Sequence, residues 1–546
     1  MAGDMEYASK IRDPGAWRRV LLGSVAGFGL TTGGFPGLAQ TAESPPPPDD
    51  TGTMQLPTIA VEGAVAGMQY NPSQSSLPKL TEPLLDTPLS ITAVPRQVIE
   101  DQGATTVRDA LRNVPGLSIA AGEGGAQGDS LTIRGFTARN DLYLDGMRDF
   151  GSYYRDPFYL EGIQVLKGPA SILFGRGSTG GVVEQDSKLP KLGSFGAGTL
   201  TFGSDLTRRV TVDVNEPLPE LAQGAALRLN AMAHDSHVAG RDVARNDRFG
   251  LAPSLALGLG TPTRLTFSYL HFSEYDVPDY GLPWINSALV GSPTGRARPA
   301  PLSLTGSNYY GFRDGNYLRT NVDVPTVKIE HDISPDVTIS DQLRYANYQR
   351  SFGITEPQLF TAASANGNGN SGTPALIAPG TPLGSLSVSR NQLAGNSLET
   401  YLVNQLDLTA RFRTFVADHT VRTGIEVSQE TSDPVRRTTI APFSQTSLLF
   451  PNPSDAYNAV TYLSSSTKTT AYTQAVYALD TIKLDEHWEL MGGLRFDRFD
   501  AGFRQVTFAN PVTGAGAGGT SFDRVDTMLS WRGAVVYLVV GARRST

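Results

Sequence analysis

The stretch GIQVLKGPASILFGRGSTGGVV, Gly162 to Val183, decides how the rest of the chain is read. Its first residues read as a strand. Gly168-Pro169 breaks it, the following ASILF reads as a short helix, and Gly177, Gly180 and Gly181 supply tight turns. Gly175, Gly177 and Gly180 do spell GxGxxG, but they follow a helix-like stretch instead of a strand. No Lys follows to make a phosphate loop, and no acidic residue closes a βαβ unit, so a nucleotide site is a poor reading. Upstream, Ile91 and Ala93 read as a strand that ends at Pro95. Thr105 or Thr106 can cap a helix that carries Val107, Ala110, Leu111 and Val114 at i, i+3, i+4 and i+7, and Pro115-Gly116 stops it. LTIRGF (Leu131–Phe136) and DLYLDGM (Asp141–Met147) read as two strands with a short turn between them.

Downstream of Thr199 the hydrophobic period becomes two. Leu227, Leu229 and Ala231 alternate with Arg228 and Asn230; Leu494 and Phe496 alternate with Arg495 and Asp497. About twelve such segments are expected between 199 and 538. Tight turns (TPT 261–263, SPD 334–336, ADH 417–419, LDEH 484–487) alternate with long connections at 276–318, 353–396, 433–467 and 501–524. Long strands with apolar-out, polar-in alternation and loops of two lengths are the pattern of a membrane barrel. A soluble β-sandwich does not usually carry strands this long.

On these residues the chain resembles the TonB-dependent outer-membrane siderophore receptors. DTPLSITAVPRQVIEDQG, VRDALRNVPGLS, LTIRGF, YLDGMRD and above all Gly162–Val183 match the plug domain of that family, and RDFGSYYRDPF (Arg148–Phe158) is most similar to the subset that takes up catecholate-type ferric siderophores. The expected fold is a membrane β-barrel, antiparallel and incomplete at about 12 of about 22 strands, with an N-terminal mixed α/β plug. The expected domains are a signal peptide at 1–39, a flexible periplasmic segment at 40–79, the plug at 80–192, the partial barrel at 193–538 and an aberrant tail at 539–546. The end, WRGAVVYLVVGARRST, begins like an internal strand and turns basic, which reads as a frameshift or early stop after about Leu538. One departure concerns the plug itself: Glu184 stands where the family usually has Asn, with Asp186 where an apolar residue is common. Buried carboxylates there need partners or a raised pKa.

The first forty residues read as an export signal: Arg18-Arg19, the apolar run Val20–Leu30, then Gly37-Leu38-Ala39. SPPPPDD (Ser44–Asp50) reads as an extended tether. The short β-prone box Leu56, Pro57, Thr58, Ile59, Ala60, Val61, Glu62 follows, suited to pairing with a sheet edge or, alternatively, an edge strand of the next domain. The resemblance implies that it is the TonB box, which couples to TonB and its inner-membrane energising complex.

The resemblance further implies a ferric siderophore at the extracellular face, with cations and aromatic rings to meet a large, anionic, aromatic complex. The expected ligand set is Arg139, Arg148, Tyr153, Tyr154 and Arg155 on the plug, with Tyr280, Trp284, Tyr309, Tyr310 and Arg313 in the first long loop. Arg134 and Arg176 resemble plug arginines that pair with barrel acids. The remaining partners expected are outer-membrane lipid and lipopolysaccharide, with a monomeric receptor. No cofactor is expected, iron being carried only as its siderophore complex. An importer of another iron chelate, haem or cobalamin is the alternative on the same fold.

Composition supports these exclusions. With no cysteine, 18% charged residues and a net charge of −8, the chain offers no disulfide frame, no thiolate metal site and no nucleic-acid surface. His234 and His237 lack a third clustered ligand, and no HExxH or GxSxG occurs, so an enzyme and a resident metal are not expected. A signalling receptor needs a further domain before the box, and Gln40–Gln55 is only sixteen residues.

Overall fold

The structure is a computed structural model. It describes residues 70–77, 79–80, 82–120, 127–286, 297–299, 304–358, 382–440, 443–458 and 460–539. The signal segment, the box Leu56–Glu62 and the residues after 539 lie outside them.

The N-terminal module is built from eight short strands and three short helices. In chain order they are β1 (Ser90–Pro95), α1 (Arg96–Asp101), α2 (Val107–Leu111), β2 (Leu117–Ile119), β3 (Leu131–Ile133), β4 (Phe136–Thr137), β5 (Leu142–Leu144), β6 (Met147–Arg148), β7 (Leu160–Lys167), α3 (Ser171–Phe174) and β8 (Gly181–Ser187). Thr106 caps α2, its side chain accepting from the Asp109 N–H at 3.1 Å, and Val107, Ala110 and Leu111 are buried. A mixed sheet runs β1-β7-β8-β5-β6, with β5 and β8 parallel. The strand–break–helix–turn reading of Gly162–Val183 holds, and its glycines explain why. Gly181 has φ +138° and a Cβ there would stand 2.0 Å from the Leu166 carbonyl oxygen, so β7 and β8 close only over a residue without a side chain. One expectation is corrected. LTIRGF and DLYLDGM are not two strands joined by a turn. Each bends on itself, because Arg134, Gly135, Asp145 and Gly146 take positive φ. The first joins β2-β3-β4 and the second joins the mixed sheet.

The rest is one antiparallel sheet. Its strands are β9 (Phe195–Phe202), β10 (Arg208–Pro217), β11 (Ala226–His237), β12 (Arg245–Leu257) and β13 (Thr263–Asp276), then, after a small hairpin of β14 (Trp284–Asn286) and β15 (Ala297–Pro299), β16 (Tyr317–Ser334), β17 (Val337–Gln358), β18 (Ser387–Thr414) and β19 (Ala417–Ser432). Two short pieces, β20 (Val435–Thr439) and β21 (Thr446–Ser447), precede β22 (Thr461–Lys483), β23 (Trp488–Thr507) and β24 (Gly518–Tyr537). Twelve strands follow one path from β9 to β24, with β20 and β21 attached beside it. Among the described residues β9 and β24 end that path without pairing with each other. Strands reach farther into the long connections than expected: β18 alone is 28 residues and begins inside the stretch read as loop.

Alternation sets the two faces. Leu227 is 40% exposed and its neighbour Arg228 is wholly buried. Inward, Met232, Phe272, Val322, Ala346, Tyr348, Tyr401 and Val403 join one core with the plug residues Val107, Leu131, Ile163 and Val183. Outward lie Phe267, Leu343, Leu402, Ile425, Val476 and Leu494. The sheet therefore wraps the plug with its polar-rich face and offers an apolar face to lipid.

Candidate functional site

The long connections leave the sheet at the ends of β13, β17 and β23 and at the start of β16, β18 and β24. Loop-length asymmetry makes this the extracellular end. Here a plug segment meets the wall. Tyr154 and Tyr280 pack together against Leu318, Phe352, Ile354 and Leu393. The Arg108 guanidinium lies 4.6 Å from the Tyr154 ring, and Arg350 and Arg436 stand 5.2 and 5.6 Å from the Phe352 ring. Arg139 is exposed and donates to Ser152 Oγ at 2.8 Å. The mouth thus combines the half-buried rings of Tyr154 and Tyr280 with guanidinium groups, the Phe352 ring being buried among them, a lining that suits an anionic aromatic guest. Arg108, Arg350, Phe352 and Arg436 were missed in the sequence. Inward parity on β17, where Arg344, Tyr348, Arg350 and Phe352 share a face, is the signal that points to two of them.

Several residues of the expected ligand set are buried in this structure. Arg155 is wholly buried, donating to Asp149 Oδ2 at 2.7 Å and to the carbonyls of Asp149 and Gly151, with Asp129 3.5 Å away. Burial raises the Asp129 carboxyl even so close to that guanidinium. Tyr153 is buried against Phe272 and donates to Asp149. Arg148 is buried, donating to the carbonyls of Asn140 and Arg176. These three have no free face, because each fills a hydrogen-bonded niche of the plug. Tyr309 and Tyr310 are also buried. They donate to the Pro278 and Leu448 carbonyls and so tie the long loops to one another. Arg313 is exposed in the same loop, and Trp284 sits on β14, described by its backbone alone. Of the expected set, the structure brings Tyr154 and Tyr280 together, with Arg139 exposed on the plug.

Charged pairs hold the plug along the wall. Arg209 on β10 donates to both oxygens of Asp156, at 2.8 and 2.7 Å. Arg344 on β17 reaches Asp145 at 3.2 Å and the Leu144 carbonyl at 2.6 Å. Arg176 pairs with Glu430 on β19 and lies over the Phe499 ring. Arg134, expected to meet a barrel acid, does not among the described residues: its positive φ turns it back, and it donates to Ser90 within the plug at 3.5 Å. Near the short-turn end, Lys483 meets Glu82 at 2.5 Å. Lys79 donates to the Leu173 carbonyl at 2.7 Å, and burial lowers its ammonium to about 8.

A lipid-facing antiparallel sheet wrapped around its own ion-paired plug defines a class of protein, the plugged outer-membrane β-barrels. Residues 83–182 match the family model described as TonB-dependent Receptor Plug Domain, and residues 251–541 match TonB dependent receptor-like, beta-barrel. The chain belongs to the TonB-dependent receptor family. It is 33% identical over 507 residues to the catecholate siderophore receptor Fiu of Escherichia coli K12, covering 88% of this chain and 63% of that protein. It is 34% identical over 466 residues to the probable TonB-dependent siderophore receptor PiuA of Acinetobacter baumannii, covering 82% and 59%. The crystal structure of Fiu in its closed form superposes with a TM-score of 0.76 at 30% identity, covering 86% of this chain and 66% of that one. The chain therefore spans roughly three fifths of the length of the curated relatives it matches. Receptors of this family are β-barrels of the outer membrane, and this chain shares that location and architecture. No helix among the described residues is long and apolar enough to cross a membrane.

Proposed function

We propose that the chain serves ferric-siderophore import, with a catecholate-type complex as its cargo and no covalent chemistry performed on it. The observation that carries this reading is the mouth itself: the half-buried rings of Tyr154 and Tyr280, with Arg108 on Tyr154 and with Arg350 and Arg436 beside the buried Phe352. Catecholate rings stack on such faces and their anionic oxygens meet guanidinium groups. The similarity to Fiu and PiuA, whose names refer to catecholate siderophores and siderophores, supports the same cargo class. Arg139 and Arg313, exposed at the same end, are candidates for first contact. Leu56–Glu62 would take the pull of TonB and its inner-membrane complex. A plug held by many separate polar contacts is suited to partial release under such a pull.

Binding of a ferric catecholate to the chain in detergent, read by fluorescence quenching, tests the reading. Tyr154→Ala is expected to weaken binding about tenfold through lost stacking and cation–π contact. Deleting Leu56–Glu62 should leave binding unchanged and abolish iron-limited growth on that cargo. Unchanged affinity in Tyr154→Ala, or growth without the box, would remove the two supports separately. One observation favours a second reading. The chain is also 30% identical over 307 residues to the ferrioxamine B receptor of Salmonella typhimurium. A hydroxamate complex therefore belongs in the same binding panel.

A further inference from the structure

A cavity of about 540 Å³ lies between the plug and the wall toward the short-turn end, bordered by β8 and by the inward faces of β13, β16, β17 and β18. It holds more acid than base. Most of its acids are matched: Asp407 with Arg422 at 3.1 Å, Glu330 with Lys328 at 3.0 Å, Glu161 with Lys191 at 2.8 Å and Asp145 with Arg344 at 3.2 Å. Glu184 and Asp186 have no such counter-charge among the described residues. They stand two apart on β8 and hence on one face. Glu184 is 1% exposed; its Oε1 accepts from the Gly146 N–H at 2.7 Å, and its Oε2 is buried with no hydrogen-bond partner. Asp186 lies opposite Gly162, and Ser76 is its hydrogen-bonding neighbour.

Two carboxylates side by side in such a place need either a cation or protons. The nearest guanidinium, Arg344, is already committed to Asp145 and to the Leu144 carbonyl. The other charges facing the pair are Asp145 from the β5–β6 turn and Glu161 from β7, both acidic. Across the cavity stand Lys79, Lys328, Glu330, Asp407 and Arg422, of which Lys79 is bound to a carbonyl and the other four are paired with one another.

We infer that Glu184 and Asp186 form a proton-operated latch of the plug: while neutral they let β8 stay docked between β5 and β7, and their ionisation loosens that strand. The cavity has room for water to carry protons to and from the pair. Burial, with each neighbouring carboxylate adding, holds Glu184 well above the ordinary carboxylate range and lifts Asp186 to about 7. The folded plug thus binds protons that an unfolded one has released. The stabilisation is fully present below the unfolded carboxyl values and is lost as pH rises through about 7. A plug of this kind yields most readily on the alkaline side.

Hydrogen exchange of the full chain in detergent micelles, read as protection factors over Gly181–Ser187, tests this. Protection is expected to fall about tenfold or more between about pH 6 and about pH 8.5. In the double variant Glu184→Gln, Asp186→Asn, neutral at every pH, the fall should be less than about twofold. An equal fall in the double variant overturns the latch. Infrared spectroscopy of the unaltered chain beside the double variant gives a second readout. The carbonyl stretch of protonated carboxyls should be present at about pH 6 and should weaken toward about pH 8.5 by more than it does in the double variant. Its absence at the lower pH overturns the inference as well.

Discussion

The plug and the sheet around it bury opposite things. The plug hides Val107, Leu111, Leu131, Ile163 and Val183 as a water-soluble domain does, each full burial being worth about 1.5–3 kcal/mol. The sheet hides Arg228, Asn230, Arg344 and Arg495 against the plug and exposes Leu343, Leu402, Val476 and Leu494. The difference teaches that one chain is written for two solvents. A substitution is judged by the solvent its side chain meets, and the seam between the regions is neither dry nor wet.

The sharpest way to break the contrast is to damage the plug alone. At Gly181 an added side chain meets the Leu166 carbonyl oxygen at 2.0 Å, and φ +138° suits only glycine. Gly181→Val is expected to cost more than about 4 kcal/mol within the plug, because the obstacle is backbone and cannot rotate away. Protease treatment should then cut residues of the plug while the sheet keeps its heat-modifiable mobility on gels. A plug that stays resistant would mean that β7 and β8 need not close as described.

A smaller effect is expected on the lipid side. Leu494 lies outward on β23, 57% exposed, with the buried Arg495 beside it. Leu494→Arg should destabilise the sheet in bilayers by about 2–4 kcal/mol, the cost of a cation near the membrane midplane. Denaturant titration in lipid vesicles measures it, and the plug's protease resistance should not change. If Leu494→Arg is neutral, that face does not meet hydrocarbon.

Legibility followed the same division. Plug turns were readable where chemistry leaves little choice, as at Gly168-Pro169 and Gly181. The transmembrane parts of strands were readable because lipid enforces alternation. The upper part of β18, Ser387–Asn396, was not, since above the lipid both faces can be polar and the period-two signal fades. Arg148, Tyr153 and Arg155 are expected at the mouth because the resemblance puts their plug stretches near the top and their types suit an anionic guest. Their burial depends on Asp129, Asp149 and the carbonyls of Asn140 and Gly151, contacts whose geometry the sequence does not display. Arg350 and Phe352 carry the opposite lesson: their parity lay inside a stretch already read as strand, and their closeness to each other and to Arg436 is what the sequence does not display.

The smallest expected effect tests the seam itself. Arg176 keeps 29% of its side chain exposed and Glu430 16%, so water screens the pair more than it screens Arg155 and Asp149. Arg176→Gln should therefore cost about 1 kcal/mol or less of plug stability, part of it the lost contact with the Phe499 ring. Raising ionic strength should narrow the gap between variant and unaltered chain, as screening already weakens the pair. A loss of several kcal/mol, insensitive to salt, would place this contact with the buried pairs of the plug interior, and the seam would then have to be counted as dry.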